Sequence, residues 1–531
     1  MTSDTNCDVV VIGAGHNGLV TAGYLARKGL KVRVVERRGV VGGAAVTEEF
    51  HPGYRNSVCS YTVSLLNPTV VADLDLYAHG LEIVERPLSN FLPTSDGGYL
   101  KAFPDAEKMR LEVARHSARD AENVADYEQT IARLANVLKS LVLQTPPNAG
   151  GGLSAFWSAI KSGKRLYDLD REDQQNLADI MTMSAVDFLD RWFENDAVKA
   201  LFAFDGIVGT LASPWQPGTA YVLLHHCFGE IMPTPGAWGH AIGGMGAITQ
   251  AMARSAEAAG VKIEVEASVS RVLVEGNKAV GVRLEDGREI RARAVAANVN
   301  PRLLFDRLVD PKHVPADFGR RMKNWRSKSG TFRMNVALRE LPDFSCLPGK
   351  TQAEHHTAGI ILAPDCAYME NAYIEARQKG WSRHPVVEVL IPSTIDPTLA
   401  PEGHHVASLF CQHFDFDLPG ERNWDDEREA AADAIIDTVN RFAPNFREAV
   451  IARQILSPLD LEREFGLIGG DIFHGTLDLN QLFSLRPTLG HADYRMPVKG
   501  LYLCGSGAHP GGGVTGAPGH NAAREMIRDL A

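Results

Sequence analysis

Long apolar runs, paired cysteines and an excess of basic residues are all absent from this sequence of 531 residues. No apolar run approaches the roughly 20 residues that a membrane-spanning helix needs, so an integral membrane protein is not expected. The seven cysteines contain neither a Cys-x-x-Cys pair nor metal-ligand spacing, which argues against a redox dithiol and against a metal site. The net charge of −11 argues against a nucleic-acid partner.

The start of the sequence contains a strand, a glycine turn, a helix and a second strand in that order. Residues 8–12 form an apolar strand. Gly13 then allows a tight turn, Gly15 lets the backbone approach a pyrophosphate, and Gly18 lets the helix pack closely on the strand. The unpaired N–H groups at the helix start favour an anion, and Glu36 ends the second strand where an acid should bind a ribose hydroxyl pair. This order predicts a site for an adenine dinucleotide.

A second glycine turn follows at Gly42 and Gly43, where a simple nicotinamide dehydrogenase does not need one. This doublet resembles the one that lies against the flavin ribityl chain and pyrophosphate in FAD-dependent oxidoreductases of the amine oxidase and carotenoid desaturase superfamily. In that superfamily an arginine usually follows the doublet, whereas this chain has Ala44. The departure removes one phosphate clamp and leaves Arg37 or backbone N–H groups to neutralise the charge.

The carboxyl-terminal part repeats the pattern of strand, glycine loop and helix. A buried strand is predicted at residues 500–505, a glycine-rich loop at 506–516 and a helix at 517–530. Together with the motifs at residues 13–19 and 41–49, this segment is similar to the phytoene-desaturase-like flavoproteins, and the resemblance covers almost the whole chain. It implies an FAD-dependent oxidoreductase of the desaturase class.

The expected fold class is α/β. A Rossmann-type FAD-binding domain of the amine oxidase and carotenoid desaturase type is expected to be interleaved with an α+β substrate domain. The FAD-binding domain is predicted in three pieces, residues 1–100, 235–310 and 490–531. The substrate domain is predicted at residues 101–234, which include a helical lobe, and at residues 311–489, which include a sheet.

The predicted FAD contacts come from the three glycine segments and from one strand residue. By resemblance, the backbone of Val269 hydrogen-bonds the adenine ring, and the terminal glycine loop approaches the ribityl chain and the isoalloxazine edge. The full set of predicted cofactor-binding residues is Ile12, Gly13, Ala14, Gly15, His16, Asn17, Gly18, Glu36, Arg37, Gly42, Gly43, Ala44, Ala45, Val269, Gly505, Ser506, Gly512, Gly513 and Val514.

The resemblance implies dehydrogenation or desaturation of a largely apolar small molecule by hydride transfer to flavin N5. Three alternatives stay open: a flavin amine oxidase, a saturase or isomerase that uses reduced FAD, and a flavin-binding regulatory or interaction protein with little turnover. Amine oxidases of this superfamily often enclose their substrate with aromatic residues. This chain is only 8% aromatic and has no clear aromatic pair near its carboxyl end, which favours the desaturase.

Two polar residues that precede the terminal strand are the candidates for catalysis. His474 is placed to accept a proton near neutral pH, and Arg486 to stabilise reduced anionic flavin or a substrate oxygen. The alternative is that both are structural, with His474 bonded to a backbone carbonyl and Arg486 paired with Asp471 or another carboxylate.

The expected partners are a small apolar substrate and an electron acceptor that is oxygen, a quinone or a protein. The sequence leaves the oligomeric state and peripheral membrane contact open. Only seven residues precede the first strand, which leaves no room for a leader peptide, and the scattered cysteines fit a reducing compartment. A bacterial cytoplasm is therefore expected, with the mitochondrial matrix as the alternative for a eukaryotic source.

Overall fold

The computed structural model describes residues 6–148, 152, 160, 163–164, 167–231 and 237–531. Its strands are β1 (Asn6–Ile12), β2 (Val32–Val35), β3 (Thr47–His51), β4 (Tyr54–Ser57), β5 (Ile83–Glu85), β6 (Asn90–Pro93), β7 (Tyr99–Ala102), β8 (Gly239–Ala241), β9 (Lys262–Glu264), β10 (Val269–Glu275), β11 (Lys278–Leu284), β12 (Glu289–Ala297), β13 (Thr331–Leu338), β14 (Gly359–Leu362), β15 (Trp381–Leu390), β16 (His405–Phe414), β17 (Val450–Leu456) and β18 (Leu501–Leu503).

Its α-helices are α1 (His16–Arg27), α2 (Pro68–Asp73), α3 (Ala106–Ala114), α4 (Ala118–Val142), α5 (Arg171–Thr182), α6 (Ala185–Leu189), α7 (Asp196–Ile207), α8 (Thr219–His226), α9 (Met245–Ala258), α10 (Pro301–Leu303), α11 (Ala316–Lys323), α12 (Cys366–Lys379), α13 (Trp424–Phe442), α14 (Phe446–Ala449), α15 (Pro458–Phe465) and α16 (Ala517–Leu530). Among these described helices, none combines the length and the low polarity that crossing a membrane needs.

The first sheet carries the amino-terminal motif. Its strands run in the order β10-β11-β12-β1-β2-β9, and β18 also pairs with β12. β1 lies between β12 and β2 and is parallel to both, and Val9, Val10 and Val11 have no exposed surface. A strand that is covered on both faces needs apolar side chains at successive positions, which explains the unbroken apolar run.

The second sheet runs in the order β17-β13-β16-β15-β14-β6-β7. Its two faces are buried against different helices. Leu409 and Cys411 of β16 belong to the same core as Ile435 of α13, whereas Phe410 between them belongs to the core of the helical lobe, with Phe204 of α7. The period-two alternation of a strand therefore sends successive side chains into two cores.

The carboxyl-terminal segment completes the first sheet and covers the amino-terminal helix. β18 pairs with β12 in parallel. The hydroxyl of Thr21 on α1 donates to the carbonyl oxygen of Gly519 on α16 at 3.1 Å, and a Cβ at Gly519 would lie 2.3 Å from the carbonyl oxygen of Asn17. The backbones of α1 and α16 are therefore in direct contact, so the two ends of the described chain form one domain.

The predicted fold class is confirmed, and many element positions agree with the structure. The division of the chain into domains stays a prediction, and its boundary at residue 100 falls within β7. β6 and β7 lie at the end of the segment predicted to belong to the first domain, residues 1–100, but they pair with each other and with β14 in the second sheet. A strand of four residues does not contain the information about which sheet edge it joins. The predicted boundary at residue 234 lies outside the described residues.

We expect Gly18→Ala to lower the free energy of unfolding by about 2 kcal/mol or more, because overpacking forces the backbone apart. A Cβ at Gly18 would lie 2.1 Å from the carbonyl oxygen of Gly13. Urea unfolding followed by circular dichroism measures the effect. The matched control is Gly319→Ala in α11. A Cβ at Gly319 would meet only Val314, at 3.7 Å, so this substitution should stabilise the helix by about 0.5–1 kcal/mol. Equal stability of the two variants would contradict the close approach at Gly18.

Candidate functional site

Two glycine turns touch at the carboxyl end of β1. Gly13 follows β1 with a φ of +92°, a region that glycine enters without steric cost. The N–H of Gly42 donates to the carbonyl oxygen of Ala14 at 2.9 Å, and a Cβ on Gly43 would lie 3.2 Å from the Cα of Gly15. α1 begins beside this contact without a side-chain cap, so its first N–H groups face outward as donors for an anion.

Glu36 connects the end of β2 to the first glycine turn. The residue is 8% exposed. Its Oε2 accepts a hydrogen bond from the N–H of Ala14 at 2.8 Å, and its Oε1 accepts one from the N–H of Arg38 at 2.9 Å. The carboxylate is therefore fixed beside the turn, and its contact with a ribose stays a prediction.

A cavity of about 400 Å³, the dinucleotide cavity, opens beside these turns. The predicted cofactor residues that line it are Ile12, Gly13, Gly15, His16, Glu36, Arg37, Gly43, Ala44, Val269 and Ser506. Sequence reasoning missed other lining residues, among them Arg38 and Asn298. Asn298 directly follows β12, and this position at the carboxyl end of a parallel strand is the signal that indicates it.

A second cavity of about 150 Å³ meets the first, and we call it the apolar cavity. Hydrocarbon side chains make up most of its wall, among them Leu65, Leu66, Val208, Ile248, Phe410 and Phe473. The residues that line both cavities form the junction, which consists of His16, Ala44, Leu467, His474 and Ser506. Gly513 and Val514 of the terminal loop line the apolar cavity alone.

Several predicted cofactor residues contact the glycine turns without lining either cavity. Asn17 donates from Nδ2 to the Ser506 hydroxyl at 3.2 Å, and a Cβ on Gly505 would lie 2.9 Å from Oδ1 of Asn298. These contacts hold the terminal loop against the first turn. The predicted residues that line neither cavity are Ala14, Asn17, Gly18, Gly42, Ala45, Gly505 and Gly512.

His474 lies at the junction with its Nδ1 buried and without a hydrogen-bond partner among the described residues. His16 has an equally unpartnered Nε2. Burial lowers the pKa of His474 to about 3 and that of His16 to about 4. Burial therefore keeps the imidazole of His474 neutral and makes it a weaker base than usual, and its role as a proton acceptor stays a prediction. The alternative, a bond from its ring to a backbone carbonyl, is not observed in the described structure.

Arg486 lines neither cavity and has no exposed surface. Its guanidinium donates to the carbonyl oxygens of Ser506 at 2.8 Å, Phe473 at 2.7 Å and Gln481 at 3.1 Å. Burial lowers the pKa of Arg486 to about 10. The nearby Asp471 accepts backbone N–H bonds instead of pairing with Arg486 at contact distance. Arg486 therefore acts as a positioning residue that ties the His474 segment to the terminal loop, and not through the direct contact predicted from sequence.

These features fit a flavin dinucleotide. The buried atoms His16 Nε2 and His474 Nδ1 at the junction lack partners within the described chain, and a ligand bound there would supply them. Arg37 and Arg38 both line the dinucleotide cavity, where a cation can offset phosphate charge in place of the arginine that Ala44 replaces. FAD would thus be held by the glycine turns, the two arginines and the junction.

The comparisons with known proteins agree with this geometry. Residues 18–331, more than half of the chain, match the family described as flavin containing amine oxidoreductase. The chain belongs to this family. Rat pyridine nucleotide-disulfide oxidoreductase domain-containing protein 2 is 41% identical over 98% of this chain and 94% of its own length. A limonene dehydrogenase component from Castellaniella defragrans is 26% identical over 100% of this chain and 96% of its own length. A solved structure of putrescine oxidase bound to putrescine has a TM-score of 0.59 at 17% identity, over 99% of each chain, which shows a shared fold.

Membership of the flavin-containing amine oxidoreductase family confirms the predicted FAD-dependent oxidoreductase and FAD as its cofactor. Disulfide chemistry, which the name of the rat relative mentions, finds no support in these cysteines, because all seven are free. Cys59 lines the apolar cavity, but burial raises the pKa of its thiol to about 12. A thiol with that pKa is not a thiolate at neutral pH.

We expect Glu36→Ala to weaken FAD binding about tenfold to a hundredfold, because hydrogen bonds to a charged group contribute about 1.5–3 kcal/mol. Titration of the apoprotein with FAD, followed by flavin fluorescence, measures the dissociation constant. Glu275→Ala is the control, since Glu275 ends β10 at the surface in an exposed ion pair with Arg291 that contributes little. Unchanged FAD affinity in Glu36→Ala would count against the dinucleotide assignment.

We expect Arg486→Met to lower the free energy of unfolding of the FAD-loaded protein by about 3 kcal/mol, because it leaves several buried carbonyl oxygens unpaired. Arg486→Lys should recover only part of the loss, since an ammonium cannot reproduce the planar fork of donors. Thermal unfolding measures stability, and the midpoint potential of the bound flavin separates the roles. Unchanged stability together with a shifted potential would assign Arg486 to catalysis instead.

Proposed function

We propose that this protein is an FAD-dependent dehydrogenase or desaturase that acts on a small, largely apolar molecule. The observation that carries the proposal is the junction, where the apolar cavity meets the dinucleotide cavity along five shared residues. Bound FAD supplies the oxidising chemistry, because its N5 atom accepts a hydride. The apolar cavity of about 150 Å³ is smaller than the roughly 300–1,000 Å³ of drug-sized sites, which supports a small substrate.

The chain's own contribution is to position the substrate and to exclude water. Leu65, Val208 and Phe473 provide the apolar wall that holds a hydrocarbon body against the junction. His16 and His474 present neutral imidazoles there, which can accept a hydrogen bond. Burial disfavours the charged imidazolium, so neither side chain is expected to keep a proton at the junction.

Two further cavities adjoin the apolar cavity in series through shared lining residues. Leu65 and Leu66 also line a smaller cavity of about 40 Å³. That cavity shares Val142, Phe228 and Pro510 with an apolar groove of about 360 Å³.

Among the relatives, the limonene dehydrogenase component matches almost end to end, and its name states an apolar hydrocarbon. An amine oxidase is the second candidate. The family description and the putrescine oxidase fold favour it, and so do Asp205 and Glu388, two acids that line the apolar cavity. Against a cationic amine stand the buried guanidiniums of Arg86 and Arg333, whose charges act on Glu388.

A second nucleotide site for NAD(P)H is not part of the proposal. The glycine turn before α9 is the best candidate for one, but the N–H of Met245 donates to the Ser57 hydroxyl at 2.9 Å. The N–H of Gly246 donates to the Thr47 hydroxyl, also at 2.9 Å. These hydroxyls occupy the donors that a phosphate would need. Electrons are therefore proposed to come from the apolar substrate and to leave to oxygen, a quinone or a protein.

We also propose a reducing compartment such as the cytoplasm, because all seven cysteines are free. The net charge of −11 supports a function without nucleic acid.

Anaerobic titration of the visible flavin band tests the proposal. We expect cyclic hydrocarbons or alcohols to bleach the band, and NADH and NADPH to bleach it much more slowly. Val208→Phe should retain FAD but slow bleaching at least tenfold, a loss of about 1.4 kcal/mol, because it fills the apolar cavity. Val265→Phe is the matched control, since Val265 is 38% exposed at the surface.

Each other outcome of this titration assigns a different function. Bleaching by amines alone would favour the amine oxidase, and conversion of substrate only after prior reduction of the flavin would favour a saturase or isomerase. A flavin that no donor reduces would favour a regulatory role. Reoxidation in the presence of oxygen or of a soluble quinone then identifies the acceptor.

A further inference from the structure

Polar side chains interrupt the wall of the apolar cavity in one region. Asn90 of β6, Asp205 of α7 and Glu388 of β15 line this cavity but not the dinucleotide cavity, so they are not part of the junction. We call these three residues the polar end. They come from three elements that are far apart in sequence, and both sheet and helical lobe contribute to them.

Glu388 is held in a fixed place. Arg333, Phe410 and Glu388 are neighbours in one row across β13, β16 and β15. The ring of Tyr61 stacks on Phe410 with 5.3 Å between centroids, and its hydroxyl donates to Oε2 of Glu388 at 2.5 Å. The guanidinium of Arg333 lies 4.5 Å from the Tyr61 ring centroid. Because of this packing, the Glu388 carboxyl is held rigidly in the cavity wall.

Three other polar side chains of the cavity lack a hydrogen-bond partner within the described ranges. The side chains of Asp205 and Asn90 make no hydrogen bond within the described ranges. The Ser64 hydroxyl also lines the cavity, is 3% exposed and is unpartnered among the residues that the structure describes. Buried polar groups are nearly always hydrogen-bonded. A purely hydrocarbon ligand would leave these groups unsatisfied, so the cavity is built for a ligand that carries a hydrogen-bonding group.

The charges around the polar end select which group that is. Burial raises the pKa of the Glu388 carboxyl above its usual value, although the buried guanidiniums of Arg86 and Arg333 act in the opposite direction. Burial and the nearby Glu388 raise the pKa of the Asp205 carboxyl to about 8, so Asp205 is mostly protonated at neutral pH. A neutral carboxyl both donates and accepts a hydrogen bond. An ammonium group would add a third cation beside the guanidiniums of Arg86 and Arg333, next to two carboxyls whose charged forms burial disfavours, which argues against an amine.

We propose that the substrate carries one uncharged hydroxyl or carbonyl group, which Asp205 and Asn90 bind at the polar end while the apolar body extends to the junction. This inference rests on the proposed function, because it takes the apolar cavity as the substrate site. The binding group then fixes which carbon of the body lies at the junction, in the way that a single buried hydrogen bond orients an otherwise apolar ligand.

Binding of matched ligands to the FAD-loaded protein tests the proposal without turnover. The probes share two skeletons, cyclohexane and p-menthane, each as the hydrocarbon, the alcohol, the ketone and the primary amine. Perturbation of the flavin spectrum at neutral pH reports the dissociation constant. We expect the alcohol or the ketone of a skeleton to bind at least about tenfold more tightly than its hydrocarbon and its amine, and comparison of the two skeletons separates body size from the polar group.

Three variants assign the effect to Asp205. We expect Asp205→Leu to remove the preference for the oxygen-containing ligand while it keeps hydrocarbon binding. Asp205→Asn, which keeps an uncharged donor and acceptor, should retain the preference within about threefold. Asp196→Leu is the control on the same helix, because the Asp196 side chain is 76% exposed. Unchanged flavin content and thermal midpoint show that each variant is folded.

The remaining outcomes overturn the inference in distinguishable ways. Equal binding of all ligands by the wild type and by Asp205→Leu would leave the apolar cavity as the substrate site but remove the role of the polar end. Amine binding that is tightest in the wild type and lost in Asp205→Asn would show that a charged Asp205 binds a cation. Absence of any spectral change with every probe, together with no bleaching, would remove the proposed function itself.

Discussion

The cofactor cleft depends on the close approach of two backbone segments, the first glycine turn and the terminal loop, to the side chain of Asn298. The first glycine turn accepts a hydrogen bond at the carbonyl oxygen of Gly13 from Nδ2 of Asn298 at 3.3 Å. A Cβ on either Gly15 or Gly505 would lie 2.9 Å from the same carboxamide. The backbone of Asn298 donates to Ile12, which fixes the end of β12 against the end of β1. Without this packing of backbone on a single polar side chain, neither cavity would have its shared wall.

Much of this arrangement can be predicted from sequence where the determinants are local. The turn that starts at Gly13 needs glycine for reasons that involve only its neighbours, and the buried strand before it is visible as an apolar run. The terminal loop and α16 are predicted on the same basis. Asn298 is different, because its importance comes from the strand order of the sheet, which places the ends of β12 and β1 side by side.

The rest of the site depends on contacts between distant segments, which local pattern does not contain. Asp205, Tyr61 and Glu388 come together only when the helical lobe packs on the second sheet, and their burial then changes their acidity. Arg486 is a comparable case: the sequence shows a cation near the terminal strand, but only the fold shows that its donors are occupied by backbone carbonyls. Buried charges of this kind cost desolvation energy, and are retained where they define a unique arrangement or a function.

The return of the last strand and helix to the first domain also constrains how the protein is made. β18 and α16 leave the ribosome after all the other described elements, yet they pack on β12 and α1. At about 5–20 residues per second, a chain of this length takes roughly half a minute to two minutes to synthesise. Throughout that time the apolar face of α1 has no permanent cover and the junction lacks Ser506. The nascent chain therefore has an incomplete cleft until β18 and α16 are synthesised. During that period chaperones can bind its exposed apolar surface, and FAD has no complete binding site.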